Sequence, residues 1–227
     1  MNIRRALAVL LRFCGGFLAA VVFALIVYRF APVHQTSLMG LRHIQGQELR
    51  QDWVRIEQIS DELVLAVIAA EDNKFCRHIG FDFGEMKAAW EDAKRGEGLR
   101  GASTISQQTV KNVFLWPGRG PVRKLAEAGL TFPFELLYSK RRIMELYLNV
   151  AEWGDGIFGA EAAAQARFGK PATELTAREA ALLAAVLPSP NKWRDDPPGP
   201  YVRKRSSQLQ TRMRTVDGEG FASCVLR

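Results

Sequence analysis

The sequence predicts an all-α fold: one helical domain carried behind a single apolar N-terminal helix. Three observations predict it. Helix-forming residues are abundant, and the β-branched alternation that marks strands is scarce. Phe13 to Tyr28 contains no charged residue. Beyond that run, apolar residues return at helical spacing between cap and stop residues. A chain of 227 residues has room for a membrane segment and one domain of about 190 residues with a real core. The formal charge of +7 and pI near 9.6 predict an anionic partner, either nucleic acid, anionic lipid or a phosphorylated substrate. The three cysteines, Cys14, Cys76 and Cys224, lack metal-binding spacing and cannot all pair with one another.

Residues 1–31 form a short basic start and an apolar helix. Leu10 to Phe30, with Arg12 and Arg29 snorkelling at its ends, gives about the 20 residues that a spanning helix needs. A cleaved signal peptide shares this pattern, but the apolar run is long and no small-x-small cleavage site stands out, so a retained anchor is expected. Arg4 and Arg5 favour a cytoplasmic N-terminus, which places everything after Arg29 outside, as a periplasmic or outer-surface domain. There Cys76 and Cys224 could oxidise, although nothing in the sequence says that they are neighbours.

Residues 32–59, polar with Gly40 and Gly46, read as a linker, and 60–214 as the domain. Ser60 caps a helix with Asp61 and Glu62 in its first turn, and Leu63, Ala66, Val67 and Ala70 make one inward face. That helix ends on Glu71 and Asp72, where the helix dipole disfavours carboxylates, a placement that stability alone does not explain. Glu85 to Arg95 reads as a solvated amphipathic helix, and Lys94 to Arg100 as a polar loop. Ser103 is the expected N-cap of a helix to Phe114, broken by the run Trp116 to Pro121. Arg123, Lys124 and Glu127 share the next helix face, before the apolar, aromatic run Leu130 to Tyr138. Lys140 to Val150 is a helix with Ile143, Leu146, Tyr147 and Val150 inward and Glu145 paired to Arg141. An alanine-rich helix stops at Gly169, Thr176 and Glu179 form a capping box, and a basic helix spans Tyr201 to Arg214. Residues 215–227 read as a tail without structure.

The stretches Glu71 to Gly80, Gly101 to Asn112, Arg123 to Glu127 and Lys140 to Asn149 resemble the successive motifs of the peptidoglycan glycosyltransferases, glycosyltransferase family 51. Four motifs in order, within a match from about Glu62 to Met213, are far more specific than any one of them. With no penicillin-binding domain after them, the expected branch is the monofunctional biosynthetic transglycosylases.

The resemblance implies a lysozyme-like, two-lobed helical domain that polymerises lipid II into β-1,4-linked glycan, inverting the donor's anomeric carbon as undecaprenyl diphosphate leaves. Such a displacement needs a carboxylate base at the acceptor hydroxyl and positive charge on the departing diphosphate. Glu71 matches the family's base and Glu127 its second carboxylate. Lys111, Arg123, Lys124 and Lys140 are candidate diphosphate contacts, and Ser103, Thr104, Gln107, Gln108 and Asn112 candidate sugar or phosphate contacts. Asp72, Phe75 and His78 complete the candidate substrate set. Asp72 and His78 can equally serve only to hold the loop around Glu71, one of the adjacent glutamines is expected to be structural, and Arg123 with Glu127 also reads as a surface ion pair. A divalent metal, magnesium or manganese, is implied as an optional cofactor, without a visible ligand cluster. Expected partners are lipid II, the growing glycan, the membrane and cell-wall synthesis proteins, with no nucleic acid. Two other classes fit parts of the pattern. A lytic muramidase shares the architecture and a catalytic Glu but does not need several cations. A membrane-anchored DNA-binding protein leaves the Glu71 motif unexplained.

Overall fold

The structure, a computed structural model, describes residues 3–96, 101–118, 120–193 and 197–226; in the first helix the side chains of residues 3–10, 13, 14 and 17 are outside that description. Cys14 and most of the expected Lys94–Arg100 loop therefore lie outside the described residues. The chain divides into two units, Met1–Pro32 and Val33–Arg227.

The first unit is helix α1, Ile3–Tyr28, 26 residues and so about 39 Å long. Leu18, Val22, Phe23 and Ile26 are exposed on it. Among the described residues, no helix is long and apolar enough to cross a membrane.

The second unit begins earlier than the sequence suggests. Of the expected linker, 32–59, all but Pro32 is part of the packed domain. Thr36 caps helix α2, Ser37–Ile44, by accepting from Met39 N at 3.3 Å. Strand β1, Arg50–Gln51, pairs in parallel with β3, Ile157–Phe158, which pairs antiparallel with β2, Glu152–Gly154. This small three-stranded sheet, in the order β1-β3-β2, is added to a fold that is otherwise mostly helical, as expected. Its cause is a set of long-range bonds that local patterning cannot reveal. Arg42 grips both Glu152 oxygens at 2.9 Å, and the Asn149 amide bonds the N–H and the carbonyl of Val54, each at 2.9 Å. Glu145 accepts from Ile56 N at 2.9 Å and pairs with Arg142 rather than with the expected Arg141, which reaches Glu57 instead.

The remaining helices are α3 (Asp61–Glu71), α4 (Phe83–Lys94), α5 (Ile105–Phe114), α6 (Pro121–Leu137), α7 (Lys140–Val150), α8 (Ala160–Phe168), α9 (Ala177–Val186) and α10 (Pro200–Gly218). Ser60 caps α3, as its sequence predicts, yet α3 does not bury one face only: Leu63 to Ala69 are all buried. A helix apolar all round is one enclosed by its neighbours, and α3 packs against both α9 and α10. Each fully buried Leu, Ile or Val there contributes about 1.5–3 kcal/mol. The second group of helices packs α5 against α6 and α7. Pro121 starts α6 where its missing N–H costs nothing. The basic helix α10 runs past Arg214 because Val216 continues its buried stripe of Val202, Ser206, Leu209 and Met213. The tail is also packed: Ala222 and Val225 are buried, and Cys224 forms a disulfide with Cys76, Cα atoms 5.6 Å apart.

Candidate active site

Glu71 ends α3 and is partly buried. Gln108 Nε2, from α5, donates to its Oε2 at 2.8 Å. Burial is the largest influence on Glu71 and pushes its pKa up. Asp72 pushes the same way, while the Gln108 hydrogen bond and the charges of Arg205 and Lys111 pull it down without cancelling the rise. The carboxylate is thus desolvated and held by one amide, the condition of a base rather than of a stabilising ion pair.

The next residue has a different task. Asp72 is buried and accepts from Ile105 N at 3.0 Å, placing its negative charge at the N-terminus of α5. His78 Nε2 lies 3.0 Å from both Asp72 oxygens, so Asp72 and His78 close the loop between them. Gly80 ends that loop at φ +80°, where an added Cβ would stand 2.6 Å from Thr131 Cγ2. Only glycine fits both the backbone angle and the space.

Helix α5 starts one residue later than expected. Thr104, not Ser103, is its N-cap: it accepts from Gln107 N at 3.2 Å, and Gln107 Oε1 accepts from Thr104 N at 3.1 Å. The Thr104 hydroxyl also donates to Gly80 O at 2.7 Å, tying α5 to the Glu71 loop. Of the adjacent glutamines, Gln107 is consumed by this buried capping box and Gln108 faces Glu71. The Thr104 hydroxyl and Gln107 Oε1 are therefore engaged inside the fold, which gives both residues a structural role at the start of α5.

Two further candidates are turned inward. Phe75 is fully buried and cannot stack on a sugar from solvent. Lys140 stands 4.5 Å over its ring and donates to Glu135 at 2.7 Å, with burial lowering its pKa. Lys140 is thus paired with Glu135 and packed on Phe75.

The other cations gather around Glu127, which is 2 % exposed. Lys124 bonds Glu127 and donates to Ser103 Oγ at 3.1 Å, while Arg123 Nη1 stands 3.8 Å from the same carboxylate. This is no surface ion pair, because Glu127 is desolvated between its partners. Arg123 Nε is buried and has no hydrogen-bond partner among the described residues. Burial lowers the pKa of Lys111, while the charges of Glu127 and Glu71 pull it up and those of Arg123 and Lys124 press it down.

Two clefts flank this constellation. One, of about 240 Å³, is lined by Glu71, Asn73, Asp82, Ser103 and Arg212. The other, of about 400 Å³, is lined by Ser37, Arg42, Lys111, Asn112, Trp116 and Arg123. The first is lined by the desolvated carboxylate, and the second by Lys111 and Arg123 beside the Arg42–Glu152 pair.

Among the described residues, no group of three or more His, Cys, Asp or Glu could hold a metal ion. The donor set around Glu127 does not suit a divalent cation, since Lys124 and Arg123 already neutralise its carboxylate.

A family model described as Transglycosylase matches residues 38–216. This chain belongs to the transglycosylase family. Curated relatives named biosynthetic peptidoglycan transglycosylase include proteins of Rhodospirillum centenum, 48 % identical over 99 % of this chain and 96 % of that protein, and of Caulobacter vibrioides, 50 % identical over 91 % and 90 %. A third, from Salmonella arizonae, is 48 % identical over 96 % of this chain and 90 % of its own length. The transglycosylase match begins within α2, at residue 38, and so takes in much of the segment that the sequence suggests is a linker.

Sequence reading also missed Arg205 and Arg212. The sequence marks both only as part of a basic helix, yet the charge of Arg205 favours the Glu71 carboxylate and Arg212 lines its cleft. A signal existed: they lie four residues before and three after the buried Leu209, on the flank of the inward stripe of α10.

Proposed function

We infer that this chain is a peptidoglycan glycosyltransferase that polymerises lipid II into β-1,4-linked glycan by inverting displacement of undecaprenyl diphosphate. The observation that carries this reading is the desolvated Glu71, held by Gln108 beside the Lys111, Arg123 and Lys124 cluster. Glu71 takes the proton of the acceptor 4-hydroxyl, and its raised pKa makes it a stronger base than an exposed carboxylate. Lys111, Arg123 and Lys124 hold the diphosphate as negative charge develops on it, with Glu127 fixing Lys124 and Arg123 in place. A hydrolase needs no such cation cluster, which favours the polymerase. A divalent ion is not assigned a step, because the Glu127 donor set does not suit it.

The two helix groups, α3 with α9 and α10 and α5 with α6 and α7, correspond on this reading to the two lobes of a lysozyme-like domain. Helix α1 is proposed as the single-pass anchor in the inner membrane, N-terminus inside and domain in the periplasm. The uncharged run Phe13 to Tyr28 and the exposed Leu18, Val22, Phe23 and Ile26 support this. So does the Cys76–Cys224 disulfide, since such bonds persist in oxidising compartments. Exposed Val122, Leu125, Phe132 and Leu136 form a stripe along α6, and Phe83, Met86 and Trp90 one along α4, surfaces suited to the lipid in which the prenyl chain is dissolved.

The test is glycan synthesis by the full chain from purified lipid II in detergent, with Glu71→Gln alongside and circular dichroism to confirm its fold. Lysozyme-digestible polymer from wild type but not from Glu71→Gln is expected. Intact lipid II together with cleavage of preformed glycan would make the protein a hydrolase instead.

A further inference from the structure

The segment after Val216 lies outside the transglycosylase match, and no step above uses it. It is nevertheless fastened to the candidate active site at several points. Cys224 is bonded to Cys76, and Cys224 N lies 3.3 Å from Cys76 Sγ. The Arg77 guanidinium stacks 4.2 Å from the Phe221 ring centre. Arg141 bonds the Val225 carbonyl, and the side chains of Ala222 and Val225 are buried.

Cys76 and Arg77 belong to the short 3-10 turn Phe75–Arg77. That turn is the middle of the loop that starts at Glu71 and closes through Asp72 and His78. The loop is therefore held on one side by the buried Phe75 and the Asp72 bond to α5, and on the other by the C-terminal segment. A base must stay within hydrogen-bond reach of the proton it removes, and a misplacement of about 1 Å can cost on the order of 100-fold in rate.

We propose that residues 219–226 are a covalent strap that positions the Glu71 loop for reaction, with Cys76 and Cys224 as positioning residues. The strap touches neither substrate nor reacting atoms; it limits where Glu71 can stand. This rests on the glycosyltransferase reading, so the test separates the two.

The full chain in detergent is assayed on lipid II before and after treatment with dithiothreitol. Reduction breaks the Sγ–Sγ bond, adding two electrons and two protons as the dithiothreitol closes to its cyclic disulfide. Thiol labelling of the denatured protein should find one cysteine before reduction, Cys14, and three after. Reduction should lower kcat about tenfold while KM for lipid II moves less than about twofold, at a temperature where near-ultraviolet circular dichroism shows both forms folded. Cys76→Ala/Cys224→Ala should match the reduced wild type and ignore dithiothreitol. Phe221→Ala, which keeps the disulfide, should fall between them. Equal kcat in the two redox states, or a loss that tracks the unfolded fraction alone, would overturn the positioning role. Three labels before reduction would overturn the strap itself. No polymer from the oxidised wild type would instead overturn the glycosyltransferase reading and the positioning role with it, leaving the labelling result to report on the strap alone.

Discussion

Glu71 is placed where its charge costs the fold. A carboxyl whose folded pKa is raised stabilises the protein fully below its unfolded value and loses that contribution as pH rises through the folded value. Glu71→Gln removes the desolvated charge. It should abolish polymerisation, by about 10²- to 10⁴-fold, and yet melt no lower than wild type at pH 7 to 8. The gap in melting temperature should close as pH falls through the folded Glu71 pKa towards 4.5. If Glu71→Gln melts well below wild type at pH 8, the carboxylate is structural. The same shift governs rate. The acid limb of kcat/KM should lie above the ordinary carboxylate value of 4.5, and the alkaline limb below 10.5, because burial lowers the Lys111 pKa. The glutamine pair separates the two kinds of role. Gln107→Ala leaves the buried Thr104 N–H without its acceptor and should cost about 1–3 kcal/mol in urea unfolding. Gln108→Ala should leave stability nearly unchanged and move the acid limb upward, since its hydrogen bond favours the charged form of Glu71.

At the scale of elements, α3 and α5 meet through a loop whose path is set by one residue. Gly80 packs against Thr131 of α6 while its carbonyl accepts from the Thr104 cap of α5, so three elements converge on it. Gly80→Ala must either move Thr131 or abandon φ +80°, and an overpacked or strained site of this kind costs about 1–3 kcal/mol. For a chain of this size that is a fall of roughly 2–4 °C in melting temperature per kcal/mol, measurable by calorimetry. Polymerase activity at a permissive temperature should fall with it, because the cap of α5 also orients Gln108. An unchanged melting temperature would show that the loop tolerates another path.

For the whole molecule, charge and apolar surface divide the work. The net charge of +7 is not spread evenly, because Lys111, Arg123 and Lys124 gather where an anionic leaving group would be held. Exposed apolar stripes on α4 and α6 offer a surface to lipid. Phe132→Ser with Leu136→Ser should weaken association of the full chain with lipid II-bearing vesicles and raise KM, leaving the melting temperature within a few degrees of wild type. Flotation of vesicles on a density gradient measures the first, and no change in flotation would remove lipid as the occupant of that face.

The sequence by itself determined the local elements and the family. Ser60, the Thr176–Glu179 capping box and Gly169 act on partners three or four residues away, so their patterns are complete within a short window. Glu71 announced itself by standing at the wrong end of a helix. Tertiary structure decided everything that depends on residues far apart in the chain. It chose Thr104 over Ser103 as cap, since only Thr104 also reaches Gly80, and it turned Gln108 rather than Gln107 towards Glu71. It folded residues 33–59 onto the domain through Arg42–Glu152 and Asn149–Val54, and it drew Lys140 to Glu135 over the ring of the buried Phe75. It also joined Cys76 to Cys224 across a separation of 148 residues. Helical periodicity records which face of a segment is apolar, but not which distant side chain will complete a polar one.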